Sequence, residues 1–133
     1  MGALRAAARA LIGRPVPLPA ALCEAFPELA ELRVRRGGLP PRLGGWALGQ
    51  RTVAGITLGR TVFLASDASM SADLLLHELR HVHQFEAVRG FALRYLWESL
   101  RTGYFRNRFE VDAREFATKR LASPHAGPPS LDA

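Results

Sequence analysis

Cysteine is almost absent from this chain of 133 residues, in which Cys23 is the only one. A single cysteine excludes an internal disulfide framework and favours a reducing compartment. No apolar run approaches the roughly 20 residues that span a bilayer. Residues 1–12 also lack the apolar stretch and small-residue cleavage site of a secretory signal. We therefore expect a cytoplasmic protein, although these features are also compatible with export by a specialised system.

Lysine is nearly missing as well, since Lys119 stands against 17 arginines and the net charge is +6. A basic protein can attract nucleic acid or anionic membranes. Arginine in place of lysine, with abundant alanine, is typical of a GC-rich genome, and these arginines are scattered rather than gathered into an aromatic-interleaved patch. We expect neither a nucleic-acid nor a membrane partner. A basic adaptor is the competing hypothesis, and it predicts a contiguous arginine face and no metal.

Length and patterning favour one α+β domain of ordinary globular composition. We expect a basic, alanine-rich segment over residues 1–14, a folded domain over residues 15–122 and a proline-rich tail over residues 123–133. Apolar periodicity and turn residues predict the elements. They are helices at 2–11 and 20–26, an extended connector at 14–19, a strand at 31–35, a loop at 37–45, two strands within 50–65, and helices at 72–89, 91–102 and 107–122.

The last two predicted helices each carry an apolar face. Helical spacing places one set of large side chains on the same side of the helix at 91–102. A second set faces inward from the helix at 107–122. The first set is Leu93, Leu96, Trp97 and Leu100, and the second is Phe109, Ala113 and Phe116.

The most informative motif is HExxH at residues 77–81, on the helix predicted at 72–89. His77 and His81 lie one turn apart on one helical face, so their ring nitrogens can converge on one metal ion. Glu78 can then deprotonate a water on that metal, as the general base of a hydrolase. A chance HExxH on an amphipathic helix is the alternative, but it explains the paired histidines and the intervening glutamate poorly.

A catalytic zinc usually takes three protein ligands, so a third must be found. The three-histidine pattern HExxHxxGxxH is excluded, because Gln84 and Ala87 stand where its glycine and histidine are needed. His83 lies about 120–160° round the helix from the two motif histidines and should not reach the same metal. His125 lies in the proline-rich tail and is a poor candidate.

Glu110 is the preferred third ligand among the downstream carboxylates. Ala113 and Ala117 share its helical face and allow close approach to the HExxH helix. The separation from His81 also leaves room for one intervening helix. The alternative is a capping box from Asn107 to Glu110, in which the glutamate only binds backbone N–H groups. The other carboxylates considered are Glu98, Asp112 and Glu115.

Three polar residues near this motif have no assigned role from spacing. An oxyanion formed during hydrolysis needs a donor, and Tyr95 and Tyr104 are candidates, although packing in the core or at a rim is the preferred interpretation for both. Gln84 is either a surface residue or a partner that orients a metal ligand. The sequence does not separate these alternatives.

Several segments resemble one family. Residues 74–84, LLLHELRHVHQ, are similar to the pattern L-L-x-H-E-L-x-H-V-x-Q of the metallopeptidase-like core domain associated with extracellular contractile injection systems, and of related mini-gluzincins. Residues 54–64, AGITLGRTVFL, resemble the strand pair of that family, and residues 31–34 its earlier strand. Residues 107–113, NRFEVDA, resemble its N-P-x-E-x-E-A segment.

This resemblance, over residues 15–121, implies a small gluzincin-like (zincin) fold in which a short twisted sheet packs on the HExxH helix and two C-terminal helices close the site. It implies Zn²⁺ held by His77, His81 and Glu110, and a peptide or protein substrate. It also implies that residues 61–65 form the edge strand beside the cleft. The chain departs from the family near the third ligand: Arg108 replaces the usual proline and Asp112 replaces the second glutamate of the family segment. Arg114 also stands where thermolysin-type gluzincins carry an acidic residue.

Two functions of different class follow. The first is a zinc-dependent peptidase in which Glu78 is the general base. The second is a zinc-binding scaffold module with little or no activity, since the chain has few extra residues to build substrate pockets. An intact glutamate in the motif favours the first, because a structural zinc needs no base.

Overall fold

The computed structural model describes residues 2–41 and 54–123, and the described chain is α+β, as the sequence predicts. Its elements follow the predicted order, with bounds that differ from the predictions by a few residues. They are α1 (Gly2–Ile12), β1 (Arg14–Pro15), α2 (Ala20–Ala25), a 3-10 turn (Pro27–Glu31), β2 (Arg33–Arg36), β3 (Gly55–Leu58), β4 (Thr61–Leu64), α3 (Ala72–Ala87), α4 (Phe91–Thr102) and α5 (Arg108–Leu121).

Some predictions fall outside this part of the chain. Residues 42–45 of the predicted loop, residues 50–53 before the strand pair and residues 124–133 of the predicted tail lie outside the described residues. The turn at Gly59 and Arg60 between β3 and β4 is confirmed. Gly59 adopts a positive φ of 64° there, a conformation that glycine reaches without steric cost.

Four strands form one mixed sheet in the order β1-β2-β4-β3. β2 and β4 are parallel, with Val34 opposite Val62, whereas β3 and β4 are antiparallel, with Ile56 opposite Phe63. β1 pairs antiparallel with β2 and comes from the segment predicted as an extended connector. The sequence misses this strand because it is only two residues long.

The implied edge position of residues 61–65 is wrong. β4 (Thr61–Leu64) lies between β2 and β3, so β3 (Gly55–Leu58) is the outer strand on that side of the described sheet. A tight turn connects β3 to β4, so these two strands pair along one edge of β4. The other edge of β4 pairs with β2, which lies much earlier in the chain. Local pattern cannot order strands whose pairing depends on such long-range contacts.

The core lies between the sheet, α3 and α5. Ser71 starts α3, because its Oγ accepts a hydrogen bond from the Leu74 N–H at 3.2 Å. The apolar side chains of α3 pack against sheet residues and against α5, so both motif histidines lie on a helix that is fixed on two sides. Members of this core include Val34, Val62, Leu64, Leu75, Leu76, Leu79, Val82, Phe116 and Ala117.

α4 packs differently from α3 and α5. It buries Phe91 and Glu98, while the large side chains predicted to share a face point to solvent. Within residues 2–41 and 54–123, no helix combines the length and the apolar character needed to cross a membrane.

α1 contributes nothing to the core, since none of its residues is buried.

Candidate metal centre

α3 supplies two imidazoles to the candidate site. His77 and His81 are four residues apart, so their rings stand one above the other with centroids 4.9 Å apart. The His81 side chain is buried and that of His77 is 16% exposed. The helix thereby holds two ring nitrogens on one side, as the motif predicts.

α5 supplies a carboxylate to the same point. The Nε2 atom of His77 lies 2.8 Å from Oε2 of Glu110, and Nε2 of His81 lies 3.0 Å from Oε1. Ala113 and Ala117 are fully or almost fully buried on this helix, which permits the close approach that the sequence suggested. One ligand atom from each of the three residues lies within 4.8 Å of the others, so the group could hold a metal ion.

The start of α5 is not arranged as a capping box. The Asn107 side chain caps the helix by accepting a hydrogen bond from the Phe109 N–H at 2.9 Å. The Asn107 N–H donates to the Tyr104 carbonyl at 3.2 Å, and the Glu110 carboxylate binds side chains instead. The carboxylate is therefore available to a ligand between α3 and α5.

The remaining candidate ligands lie elsewhere. Glu98 pairs with Arg101 at 3.0 Å, and Glu115 is exposed on α5. His83 lies 3.8 Å from Glu31 and packs edge-on against Phe116, away from the motif histidines. His125 lies outside the described residues. The structure thus brings together the three predicted ligands and none of these alternatives.

Burial and mutual attraction set the electrostatics of the cluster. Burial alone would raise the pKa of Glu110, but hydrogen bonds with His77 and His81 hold it well below its usual range. Burial alone would lower the pKa of His81, but the hydrogen bond with Glu110 and the charges of Glu78 and Glu110 raise it to about 9. Without a metal, the buried carboxylate is therefore stabilised by a protonated imidazole.

This pairing predicts how the stability of the metal-free protein changes with pH. A raised folded-state pKa for His81 contributes stability that is fully present below the unfolded value of 6.5 and is lost as the pH rises through about 9. We expect the free energy of unfolding in chelator to fall by up to about 3 kcal/mol across that interval. Urea unfolding at several pH values measures it. A His81→Gln variant should lose most of this slope; an equal slope in both proteins would contradict the assignment.

Gln84 forms a hydrogen bond with the ring nitrogen of His81 that faces away from Glu110. Its Oε1 lies 2.7 Å from Nδ1 of His81, and its Nε2 donates to the Phe109 carbonyl at 3.0 Å and to Asp112 at 2.8 Å. Asp112 in turn accepts a 2.7 Å hydrogen bond from Arg80. Because the NH₂ group of Gln84 donates to Phe109 and Asp112, its Oε1 atom accepts a hydrogen bond from the Nδ1–H of His81. The lone pair of a neutral His81 is then on Nε2, where it can bind a metal. The open question about Gln84 is thus settled by its contacts.

Replacing Gln84 with methionine is expected to weaken metal binding by about 10–100-fold. Methionine keeps the length and helical preference of the side chain but removes the acceptor that fixes the tautomer of His81. Competition with a chromophoric chelator measures the affinity. Glu86→Met, at an exposed position of the same helix, is the matched control and should bind normally. Wild-type affinity in the Gln84 variant would show that His81 needs no such support.

Glu78 faces the sheet beside the cluster. It is 4% exposed, and its Oε2 accepts a hydrogen bond from the Thr57 hydroxyl at 2.7 Å. A Cβ added at Gly55 would lie 3.4 Å from Oε1 of Glu78, so this glycine lets the backbone of β3 approach the carboxylate closely. Thr57 was not assigned a role from the sequence, because a strand threonine alone is no signal.

Two tyrosines border the cluster. The Tyr95 hydroxyl donates to Oε1 of Glu110 at 2.6 Å, so Tyr95 is more than a packing residue. Burial, followed by the charges of Glu110 and Glu78, raises the pKa of Tyr104 and keeps its hydroxyl protonated. Asn107 is fully buried and ties α4 to the start of α5, because its Nδ2 donates to the Tyr95 carbonyl at 3.0 Å.

The donor set is chemically suited to zinc. Two imidazole nitrogens and one carboxylate oxygen are one of the ligand sets found in catalytic zinc sites, where a further coordination position is left for water. Here two imidazoles and one buried carboxylate converge, and one imidazole carries the outer hydrogen bond that such ligands usually have.

Comparisons with known proteins identify no relative of this chain. No protein-family model matches the chain, and no curated protein or solved structure matches it at a significant level.

Proposed function

We propose that this protein is a zinc-dependent peptidase of the gluzincin type, with His77, His81 and Glu110 as metal ligands and Glu78 as the general base. The observation that carries the proposal is the convergence of the three ligand atoms with a buried glutamate one residue from the first ligand. The proposal is also supported by the α+β architecture, in which the HExxH helix packs against a short mixed sheet and a C-terminal helix.

The chain supplies an acid–base group in a fixed position. His77, His81 and Glu110 would hold the zinc ion, which would supply a water with a pKa lowered to about 7 and polarise the scissile carbonyl. Glu78 accepts the proton of the attacking water and returns it to the leaving amine, so that the peptide bond breaks with no net change in the enzyme. Its Oε2 is held by a hydrogen bond from the Thr57 hydroxyl.

The oxyanion of the transition state needs a hydrogen-bond donor. Tyr95 donates a 2.6 Å hydrogen bond to Glu110, and Tyr104, which also interacts with Glu110 and Glu78, is kept protonated by burial. We assign this donor role to Tyr104. An extended substrate would pair with the outer edge of β3, which carries Gly55 and Thr57 beside the general base.

Metal content and metal-dependent hydrolysis test the proposal together. We expect the purified protein to contain about one zinc ion per chain and to cleave members of a mixed peptide library, with mass spectrometry identifying the new termini. Removal of zinc by a chelator should abolish cleavage, and added zinc should restore it. A protein that folds and cleaves without metal would disprove the proposal. Bound zinc with no hydrolysis would favour the scaffold alternative.

A further inference from the structure

The exposed side of α4 carries four large apolar side chains, which we call the leucine–tryptophan face: Leu93, Leu96, Trp97 and Leu100. Their exposed fractions are 75%, 51%, 65% and 84%. The spacing i, i+3, i+4 and i+7 places them on one stripe of the helix. Phe105, which is 74% exposed, follows shortly after the helix. A contiguous exposed stripe of this kind indicates an interaction surface rather than ordinary surface leucines.

We propose that the leucine–tryptophan face docks on the surface of a lipid bilayer that contains anionic phospholipids. The role is separate from the metal site, because Tyr95, which contacts Glu110, lies on the opposite side of α4. It also differs from what the scattered arginines of the sequence led us to expect, since exposure of the face is visible only in the fold.

The charged residues of the segment that contains the face are nearly all basic. Residues 88–108 contain five arginines and a single carboxylate, Glu98. Glu98 is buried and bound to Arg101, so it offers no accessible negative charge. Within the described part of the chain, no carboxylate lies within ion-pair distance of the exposed Arg94 or Arg106. An apolar stripe bordered by arginines is typical of helices that lie in the interface of an anionic bilayer.

A second copy of this chain fits the face less well. A helix of 12 residues is about 18 Å long, which is short for an interface that should bury roughly 800 Å² on each partner. Two copies of the face would also bring their arginine borders together, and like charges repel. A bilayer avoids both difficulties because it deforms around a convex helix and supplies phosphate groups to the arginine side chains.

α1 is a second exposed helix with the same chemistry. All of its residues are exposed, it contains Arg5 and Arg9 but no acidic residue, and it presents Leu11 and Ile12 to solvent. Stable membrane binding generally requires two weak attachments rather than one. α1 has the exposure and the composition that such a second attachment requires.

Vesicle binding by the full chain is the test. Trp46→Phe leaves Trp97 as the sole tryptophan, so its emission reports directly on the face. We expect a blue shift and cosedimentation with phosphatidylcholine vesicles that contain about 30% phosphatidylglycerol, little binding to pure phosphatidylcholine, and release at about 1 M salt. Binding to neither vesicle would overturn the proposal, as would equal binding to both.

Variants separate the face from the rest of the surface. Leu93→Ser with Leu100→Ser should lower partitioning by about tenfold or more, and Arg94→Gln with Arg106→Gln should weaken binding to the anionic vesicles alone. Leu121→Ser and Arg33→Gln are exposed controls on other elements and should bind normally. Circular dichroism and zinc affinity should be unchanged in all variants, which separates this test from the proposed catalysis.

Two further outcomes would reassign the face. A concentration-dependent dimer that dissociates in the Leu93/Leu100 variant, without vesicle binding, would assign the face to a second copy of the chain. Stoichiometric binding of an acidic amphipathic peptide, again without vesicle binding, would assign it to a protein partner.

Discussion

Replacing Glu78 with glutamine is expected to lower the rate of peptide hydrolysis by about 10²–10⁴-fold while zinc stays bound. Glutamine has almost the same shape as glutamate and can still accept the hydrogen bond from Thr57. It cannot take a proton from water at neutral pH. The expected loss is therefore in kcat, with little change in metal affinity, because in the proposed mechanism Glu78 acts on the reacting water and does not bind the metal.

The measurement is a rate of cleavage for any library peptide that the wild-type protein hydrolyses, followed together with zinc content. Glu86→Gln is the matched control, because it makes the same chemical change on the same helix at a solvent-exposed ion pair with Arg60. It should retain wild-type rates. Hydrolysis that persists in the Glu78 variant would require a different base. Loss of zinc from the variant would instead make Glu78 part of the metal-binding set.

Glu110→Gln is expected to weaken zinc binding by more than about 100-fold, because loss of an outer hydrogen-bond partner alone costs about 10–100-fold. The carboxylate lies 2.8 and 3.0 Å from the two histidine Nε2 atoms and is almost completely buried. Glutamine keeps the volume and an oxygen acceptor for the Tyr95 hydroxyl, but it removes the negative charge that a divalent cation needs in this site. When zinc is present at a limiting concentration, the rate of peptide hydrolysis should fall together with the zinc affinity.

Competition with a chromophoric chelator gives the affinity of each protein, and unfolding in excess chelator gives the stability of the metal-free state. Glu115→Gln, on the exposed side of the same helix, removes the same charge at a distance and should bind zinc normally. Unchanged affinity in the Glu110 variant would mean that the glutamate only neutralises the two histidines, and the third ligand would have to be sought elsewhere.

Much of the site can be predicted because its information is local. His77 and His81 are four positions apart on one helix, which places them on the same face. Ala113 and Ala117 identify the face of α5 that approaches α3. The helices α3, α4 and α5 follow from apolar periodicity, with serine, glycine and asparagine respectively as their N-cap residues. These features depend on neighbours within a few positions, which is the range over which sequence patterns are informative.

The features that sequence misses depend on distant pairs. The order of β2, β4 and β3 is set by contacts across more than twenty residues, and so is the placement of Thr57 beside Glu78. Gln84 could only be recognised as a support for His81 once α5 brought Phe109 and Asp112 to it. The exposed leucine–tryptophan face was equally hidden, because periodicity identifies an apolar stripe without saying what covers it.

The ligand geometry also gives a metal a mechanical role in a chain that has one cysteine. His77 and Glu110 are 33 positions apart and belong to α3 and α5, so an ion between them closes a long loop as a disulfide would. A covalent link across a loop of that length lowers the conformational entropy of the unfolded chain, which raises the free energy of unfolding by about 3–4 kcal/mol. A metal-loaded protein would gain part of this restraint reversibly. Zinc supply would then set the resistance of the fold to proteolysis, independently of any substrate it cleaves.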